Sequence, residues 1–201
     1  MPNWCSNNMV VYGSPTEVKD FRQKCLNAIA NAKVTKNWGL YEIYVQFGYE
    51  KDEILNSHKL EYNRGHIEDV SNLHYVDEKT LCFNVYYESA WSPMIDGFNY
   101  LLANHYDTLR QVTLAEEGGC DIFINTDTQH RFFDEKYYVY VEDYDTYYLT
   151  CEEEVCKVIN AWNDNKPKCN SVAECQKLLK QCEGYVGSTK QYIVLEEFTD
   201  Y

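Results

Sequence analysis

The 201-residue sequence lacks several features that would each define a class of protein. It has no run of about 18 consecutive apolar residues, which a helix needs to span a bilayer. It has only 9 Gly and 4 Pro, which excludes collagen-like and low-complexity chains. Its first seven residues contain neither a basic nor an apolar region, so we expect no signal peptide.

Motifs of the commoner enzymes are also missing. No P-loop, GxGxxG, HExxH or GxSxG motif occurs, which removes the familiar sequence routes to nucleotide, zinc and serine chemistry. The 9 cysteines are odd in number and form no CxxC pair, and the 5 histidines form no close pattern with them. We therefore expect reduced thiols, several buried in helices as small apolar residues, with no metal ion and no cofactor.

Basic residues are scarce. Lys and Arg number 18 against 32 Asp and Glu, which gives a formal net charge of −14. Between residues 115 and 154, 12 acids are opposed only by Arg131 and Lys136. Such a surface repels phosphate backbones and attracts basic protein surfaces. The alternative is a solvated acidic face that only aids solubility.

Tyrosine is abundant, with 19 residues, and six of them lie in the same acidic block. Tyr offers a large contact area and a polar tip, which suits protein interfaces, but it is also a good strand residue. Tyr138 and Tyr140 lie in an apparent strand, whereas Tyr144, Tyr147 and Tyr148 lie among acids and are expected to be exposed. The partner-binding patch is predicted to contain Asp134, Glu135, Glu142, Asp143, Tyr144, Asp145, Tyr147, Tyr148, Glu152 and Glu153.

Apolar periodicity predicts the elements of the first two thirds of the chain. One helix is expected to follow the capping box that begins at Ser14, and a second is expected to begin at Ser92-Pro93. Residues 34–73 are treated as an insertion or irregular crossover that contains a strand at 40–47 and a polar loop with a helical turn. The remaining strands are expected at 8–12, 74–77, 80–88, 111–116 and 120–125.

The resulting order of strand, helix, two strands, helix and strand is the split βαβ order of a ferredoxin-like fold. An additional antiparallel hairpin follows. Capping boxes at Thr150 and Ser171 predict two helices, and residues 191–198 are predicted to form a closing strand. We therefore predict an α+β protein with a ferredoxin-like domain over residues 1–130. An acidic, Tyr-rich hairpin with a helical appendage is predicted over 131–201, packed on the same body.

The opening Met1-Pro2-Asn3-Trp4-Cys5-Ser6-Asn7, followed by an apolar strand, resembles a family of phage- and plasmid-borne proteins named for the YubB ferredoxin-like domain. Members typically begin Met-(Ala/Pro)-Asn-Trp-Cys-x-Asn and carry a Trp-x-Pro-type motif before the second helix, which Trp91-Ser92-Pro93 matches. A later turn with Glu and Gly is loosely matched at 116–119. The resemblance covers about residues 1–130. It implies a ferredoxin-like fold and a protein that is encoded by a mobile element and located in the cytoplasm of a bacterial host cell. It implies no particular reaction.

The motif residues that carry this resemblance are expected to be structural. Trp4 is predicted to be mostly buried against Trp91 and Pro93, with asparagine side chains tying down the backbone. The alternative is a small enzyme that acts on a nucleotide or small molecule at the Trp4/Cys5/Trp91 edge, with Cys5 as nucleophile. No histidine lies within thirty residues of Cys5 to serve as its base. The motif residues are Asn3, Trp4, Cys5, Asn7, Trp91, Ser92 and Pro93, and Glu116 and Glu117 are the acids expected beside them.

An RNA-binding sheet is a further alternative, because the ferredoxin-like order also belongs to RNA recognition motifs. Phe83 and Tyr87 would then have to stack on bases. The basic-Gly-aromatic run typical of those motifs is absent, and the net charge of −14 opposes binding to RNA.

The leading hypothesis is an acidic, non-enzymatic phage protein that binds and inhibits a host protein. A target with a basic nucleic-acid groove fits, because carboxylates can stand in for phosphates and Tyr supplies contact area. An anti-CRISPR or other anti-defence inhibitor that mimics DNA would fit this description. The inference from a mobile-element origin to an anti-defence role is an analogy. We expect no direct binding to nucleic acid or membrane. A homodimer and an accessory structural protein are alternatives.

Overall fold

The computed structural model describes residues 3–62, 64–164, 168–187 and 191–201, so Met1 and Pro2 of the opening motif lie outside it. Within these ranges the chain has six helices and two β-sheets, which confirms the predicted α+β class. Two compact units divide the chain, one over residues 1–127 and one over 128–201. No helix in the described ranges is long and apolar enough to cross a membrane.

The first unit is built on an antiparallel sheet. Its elements are β1 (Trp4–Gly13), α1 (Pro15–Thr35), α2 (Gly39–Val45), α3 (Lys51–Asn56), β2 (Gly65–Val70), β3 (His74–Tyr75), β4 (Leu81–Ala90), α4 (Ile95–His105), β5 (Arg110–Glu117) and β6 (Ile122–Asn125). Among the strands of this unit the order is β6-β5-β1-β4-β2, and β3 also pairs with β4. The central strand β1 pairs along its whole length with β4, from Trp4 opposite Ala90 to Gly13 opposite Leu81.

Strand alternation gives this sheet one apolar face, which the helices cover. Phe21 of α1 is fully buried in that core. Its ring centroid lies 6.0 Å from Phe47, 6.2 Å from Phe83 of β4 and 6.0 Å from Tyr106. The apolar side of the helix predicted to follow Ser14 therefore faces the sheet.

The strand predicted at 40–47 is wrong, because these residues form α2. Leu40, Ile43 and Tyr44 are buried at helical spacing. A short apolar run fits a strand and a helix equally well, and contacts with α1 and β2 decide the outcome here. Gly39 permits the close approach, since a Cβ at that position would lie 2.9 Å from the backbone nitrogen of Ile67.

The interpretation of residues 34–73 as an insertion is also wrong in part, because β2 lies within it and is a strand of the main sheet. The strand predicted at 74–77 forms only over the two residues of β3, which pairs with β4. A register shift between Ile67 and Asp69 interrupts the alternation of β2. The bulge breaks the alternation of apolar and polar residues along β2, so the sequence pattern does not reveal this strand.

The second unit has a four-stranded antiparallel sheet in the order β8-β7-β10-β9. Its elements are β7 (Tyr137–Val141), β8 (Asp145–Leu149), α5 (Glu152–Trp162), α6 (Val172–Gln181), β9 (Tyr185–Val186), β10 (Gln191–Glu197) and the two-residue β11 (Thr199–Asp200). Both helices pack on one face of the sheet. Val155 and Ile159 of α5 and Cys175 of α6 meet Val139 and Ile193 in a separate apolar core.

The capping signals differ in what their side chains do. Ser171 Oγ accepts the backbone N–H of Glu174 at 3.3 Å, as the capping box predicts. Ser14 precedes α1, but its side chain caps no helical N–H, and the Glu17 carboxylate instead accepts two backbone N–H groups at residues 107–108. The helix predicted at Thr150 begins one residue later, after Cys151.

We expect Ser171→Ala to lower the free energy of unfolding by about 1 kcal/mol, because it leaves a helical N–H without its cap. Ser14→Ala is the matched control and should cost less than about half as much, because no capping bond is lost. Urea denaturation of both variants measures the difference. Equal losses would contradict the assignment of the two caps.

Candidate functional site

The two tryptophans of the opening and Trp-x-Pro motifs have different side-chain partners. Trp4 is half-buried, and its ring packs on Trp38 at a centroid distance of 5.8 Å and on His66 at 6.0 Å. Trp4 is mostly shielded from solvent, as predicted, but its ring partners are Trp38 and His66 rather than Trp91. Trp91 is 51% exposed and follows β4 with a φ of +66°, a left-handed conformation that ends the extended strand. The guanidinium of Arg64 lies 5.3 Å from the Trp91 ring centroid.

The turn after Trp91 contains Ser92 and Pro93, and α4 begins only at Ile95 with Met94 at its N-cap. The helix start predicted at Ser92-Pro93 is therefore wrong. The Ser92 carbonyl accepts a hydrogen bond from the Ser89 hydroxyl at 2.8 Å. This hydrogen bond holds Ser92, in the turn that connects β4 with α4, against the end of β4.

Asn7 and Cys5 lie at the start of β1 and are both buried. The Asn7 Nδ2 donates to the carbonyl of Cys5 at 2.7 Å and to the carbonyl of Tyr87 at 3.2 Å, so this side chain anchors backbone. Burial, followed by the nearby carboxylates Glu117 and Glu116, raises the pKa of Cys5 to about 12. A thiol in this environment stays protonated at neutral pH, which is the reverse of what a nucleophile needs.

Glu116 and Glu117, the acids expected beside the opening motif, lie close enough to Cys5 to act on its thiol, as does Cys120. Asn3 is exposed, and its Nδ2 lies 3.8 Å from the Sγ of Cys120. All nine cysteines are free thiols. In the part of the chain that the structure describes, no group of three or more His, Cys, Asp or Glu side chains is placed to hold a metal ion.

We expect Cys5 to be unreactive toward a disulfide-exchange reagent at pH 7.5 until the protein unfolds. Its thiolate fraction rises only as the pH approaches the raised pKa of about 12. Cys151 is exposed and is the internal reference that should react at once. Mass spectrometry of the labelled peptides reads both sites, and labelling of Cys5 as fast as Cys151 would revive the nucleophile hypothesis.

The RNA-binding alternative loses its two aromatic residues. Phe83 and Tyr87 of β4 are 0% and 1% exposed and lie in the core beneath the helices. Bases cannot stack on rings that the protein interior covers. The base stacking that this alternative requires of Phe83 and Tyr87 is therefore ruled out.

The acids of the predicted partner-binding patch lie in three different local settings. Glu152 and Glu153 are exposed in the first turn of α5, where carboxylates stabilise the positive end of the helix dipole. Glu153 also pairs with Lys157 at 3.0 Å. Asp134 is exposed and Glu135 is half-buried in the segment before β7.

The third setting is the turn between β7 and β8, where acids are concentrated. The Glu142 Oε2 accepts the N–H of Tyr192 at 3.3 Å, and the Asp145 Oδ1 accepts the N–H of Thr146 at 2.8 Å. Asp143 is exposed at a φ of +59°. Tyr144 is 66% exposed, and its ring lies edge-on to Trp162 at 4.4 Å. The turn therefore presents carboxylates to solvent with a fixed backbone.

The tyrosines of β8 lie on opposite faces of the sheet. Tyr147 packs against the core with Leu149, so its predicted exposure is wrong. Tyr148 is 44% exposed on the other face and lies opposite Tyr138 of β7. Sequence alone did not fix which of two adjacent tyrosines faces the core, because apolar and aromatic side chains occupy both faces of this strand.

The face of the second sheet opposite α5 and α6 is rich in tyrosine. In β7, Val139 and Val141 are buried in the core, while Tyr138 and Tyr140 alternate with them on the outside. In β10 the same alternation puts Ile193 inside. We call this surface the tyrosine face, and its members are Tyr138, Tyr140, Tyr148, Tyr185 and Tyr192, with Thr146, Val194 and Glu196 between them.

Two members of the tyrosine face were missed at the level of the sequence. Tyr185 and Tyr192 are 45% and 38% exposed, and they lie opposite each other in β9 and β10. Both are more than thirty-five residues from the acidic turn along the chain, and sheet pairing brings them beside it. The alternation of Tyr192, Val194 and Glu196 with Ile193 and Leu195 was the available signal.

Charge in the second unit is concentrated on the sheet rather than on the helices. Residues 134–149 and 191–201 together contain eight acids and a single base, Lys136. Residues 150–187, which include both helices, contain six acids and five lysines. The strands and their turns therefore carry most of the negative charge of this unit.

Comparison with models of protein families, with curated proteins and with solved structures finds no match to this chain.

Proposed function

We propose that this chain is a binding protein that docks the tyrosine face of its second unit on a basic surface of a partner protein. The observation that carries the proposal is the exposure of four tyrosines on one sheet face, between 36% and 45% each. Tyr is among the residues that contribute most binding energy at protein interfaces, because it adds large area at low entropic cost. An exposed cluster of aromatic side chains is typical of an interaction surface.

The charge around the tyrosine face supports a basic partner. The acidic turn at 142–145 borders the face at Tyr192, and Glu196 lies within it. Carboxylates in these places attract a positive surface over long range and repel nucleic acid. A groove that normally binds nucleic acid is a surface of this kind, so a bound copy of this protein would block it.

The resemblance of residues 1–130 to a family of phage- and plasmid-borne proteins supports a host protein as the target. We propose a ferredoxin-like fold for the first unit on two grounds. The four strands in the order β5-β1-β4-β2 are antiparallel throughout. Along the chain, α1 follows β1 and α4 follows β4, which is the split βαβ arrangement.

Affinity capture from a bacterial lysate with three matched baits tests the proposed function. The baits are the parent protein, a variant with Tyr140→Thr and Tyr192→Thr, and a control with Tyr75→Thr. Tyr75 is also exposed but lies in β3 of the other sheet. Proteins that bind the parent and the control but not the face variant should be basic and should bind nucleic acid. Equal capture by all three baits, or acidic proteins alone, would overturn the proposal.

For the captured partner, we expect amide substitutions at Glu142, Asp143 and Asp145 to lower the association rate and flatten its salt dependence. Opposite charges attract over a Debye length of about 8 Å at physiological ionic strength, and amides remove that attraction while keeping an acceptor oxygen. Stopped-flow kinetics at several salt concentrations measures both effects. A control with Asp52, Glu68 and Glu78 changed to amides makes the same change in net charge at exposed positions of the first unit. An equal loss in both variants would mean that net charge alone, not this turn, directs association.

A further inference from the structure

The tyrosine face contains two similar groups of side chains. In the first, Tyr138 lies in register between Tyr148 of β8 and Glu196 of β10. The rings of Tyr138 and Tyr148 have centroids 5.8 Å apart and planes 74° apart, so they form an angled pair. The ring of Phe198 lies nearly parallel to that of Tyr148, with centroids 6.5 Å apart and planes at 19°.

The second group lies toward the acidic turn. Tyr192 of β10 is opposite Tyr185 of β9, with ring centroids 5.5 Å apart and planes at 56°. The backbone N–H of Glu142 donates to the carbonyl of Tyr192 at 2.9 Å, and the carboxylate of Glu142 accepts the N–H of Tyr192 at 3.3 Å. A tyrosine pair and one carboxylate therefore recur here.

The two groups are separated by a fixed distance along the sheet. Tyr192 of the second group and Glu196 of the first are four residues apart on β10, which corresponds to about 13 Å at 3.3 Å per residue. Tyr140 and Val194 lie side by side between the groups. A ligand that engages both groups must therefore carry two matching side chains at this separation.

We propose that these groups are two arginine-binding pockets and that the tyrosine face recognises a segment of its partner with two arginines about 13 Å apart. A guanidinium is planar, so it stacks on a tyrosine ring and directs its N–H groups at a carboxylate in the same pocket. The lysine ammonium is compact and strongly hydrated and fits this combination less well. In an extended segment, arginines four residues apart have the required spacing. The inference rests on the proposed docking function and adds the chemistry of the partner.

Synthetic peptides titrated into the full-length protein test the pockets by calorimetry. The probes are an extended Gly/Ser-based peptide with two arginines four residues apart, its two-lysine counterpart, a peptide with the arginines two residues apart, and a peptide with one arginine. We expect the first peptide to bind about tenfold more tightly than each of the others. Equal affinity for the arginine and lysine peptides, or no dependence on spacing, would overturn the pockets.

Variants of each pocket make the test independent of overall charge. Tyr148→Ala with Glu196→Gln removes the first pocket, and Tyr185→Ala with Glu142→Gln removes the second. Each should reduce the affinity of the two-arginine peptide to that of the one-arginine peptide, with an unchanged far-ultraviolet circular dichroism spectrum. Because a double variant can unfold, Glu196→Gln and Glu142→Gln alone provide a second test, and each should lower the preference for arginine over lysine.

The outcomes separate this inference from the proposed function. If a basic partner is captured through the tyrosine face but no peptide shows a preference for arginine, the pockets are wrong and the docking function stands. If neither the lysate nor any basic peptide binds to the face, both are wrong. Preference for arginine that survives in both pocket variants would also overturn the inference, because binding would then lie elsewhere.

Discussion

Replacement of Phe21 by alanine is expected to lower the free energy of unfolding by about 3–5 kcal/mol, the largest loss we expect from a single substitution. Phe21 is fully buried in the first unit and contacts the rings of Phe47, Phe83 and Tyr106. Alanine would remove this contact area and leave a cavity that the surrounding aromatic side chains cannot fill. Urea denaturation followed by circular dichroism measures the loss.

Leu55→Ala is the matched control for this prediction, because Leu55 belongs to the same unit but is 51% exposed. Its expected effect is below about 0.5 kcal/mol, as for other exposed positions. A loss of similar size in the two variants would mean that α1 does not carry the core of the first unit.

The second large effect concerns binding. We expect Tyr138→Thr, Tyr140→Thr and Tyr192→Thr together to raise the dissociation rate of the captured partner by about 100-fold, because they remove contact area rather than long-range attraction. Threonine keeps a β-branched side chain on each strand and so preserves strand propensity. Surface plasmon resonance measures the dissociation rate, and thermal melting checks the fold.

The control for this variant replaces tyrosines that are exposed on the other sheet. Tyr75→Thr and Tyr86→Thr change positions that are 62% and 37% exposed in the first unit. They should leave the dissociation rate unchanged. A drop in association rate with no change in dissociation, after the three face substitutions, would contradict a role for these rings in the bound contact.

Local sequence signals were sufficient to predict those elements whose apolar residues follow a single clear period or whose first turn carries a capping box. The alternation of Phe83 and Val85 with polar neighbours predicted β4, and Ser171 with Glu174 predicted the start of α6. They were insufficient at 40–47, where a short apolar run fits two periods, and in β2, where a bulge interrupts the pattern. Tertiary contacts decide the structure of such segments.

The candidate site was only half visible in the sequence, because it is assembled from strands that are distant along the chain. The acidic block and Tyr148 were found by composition. Tyr147 was wrongly expected to be exposed, because the register of β8 against β7 decides which of its alternate residues face the core. No local sequence pattern encodes that register. Tyr185 and Tyr192 join the surface only through the pairing of β10 with β7 and β9.

Site-specific photo-crosslinking to the captured partner tests the docking surface most directly. A photoreactive side chain is placed either at position 140, on the tyrosine face, or at position 177, where Lys177 is exposed on α6. If the tyrosine face docks on the partner, irradiation of the complex produces a crosslink from position 140 and none from position 177. A crosslink from position 177 alone, or none from position 140 in an intact complex, would contradict the assignment of the tyrosine face as the binding surface.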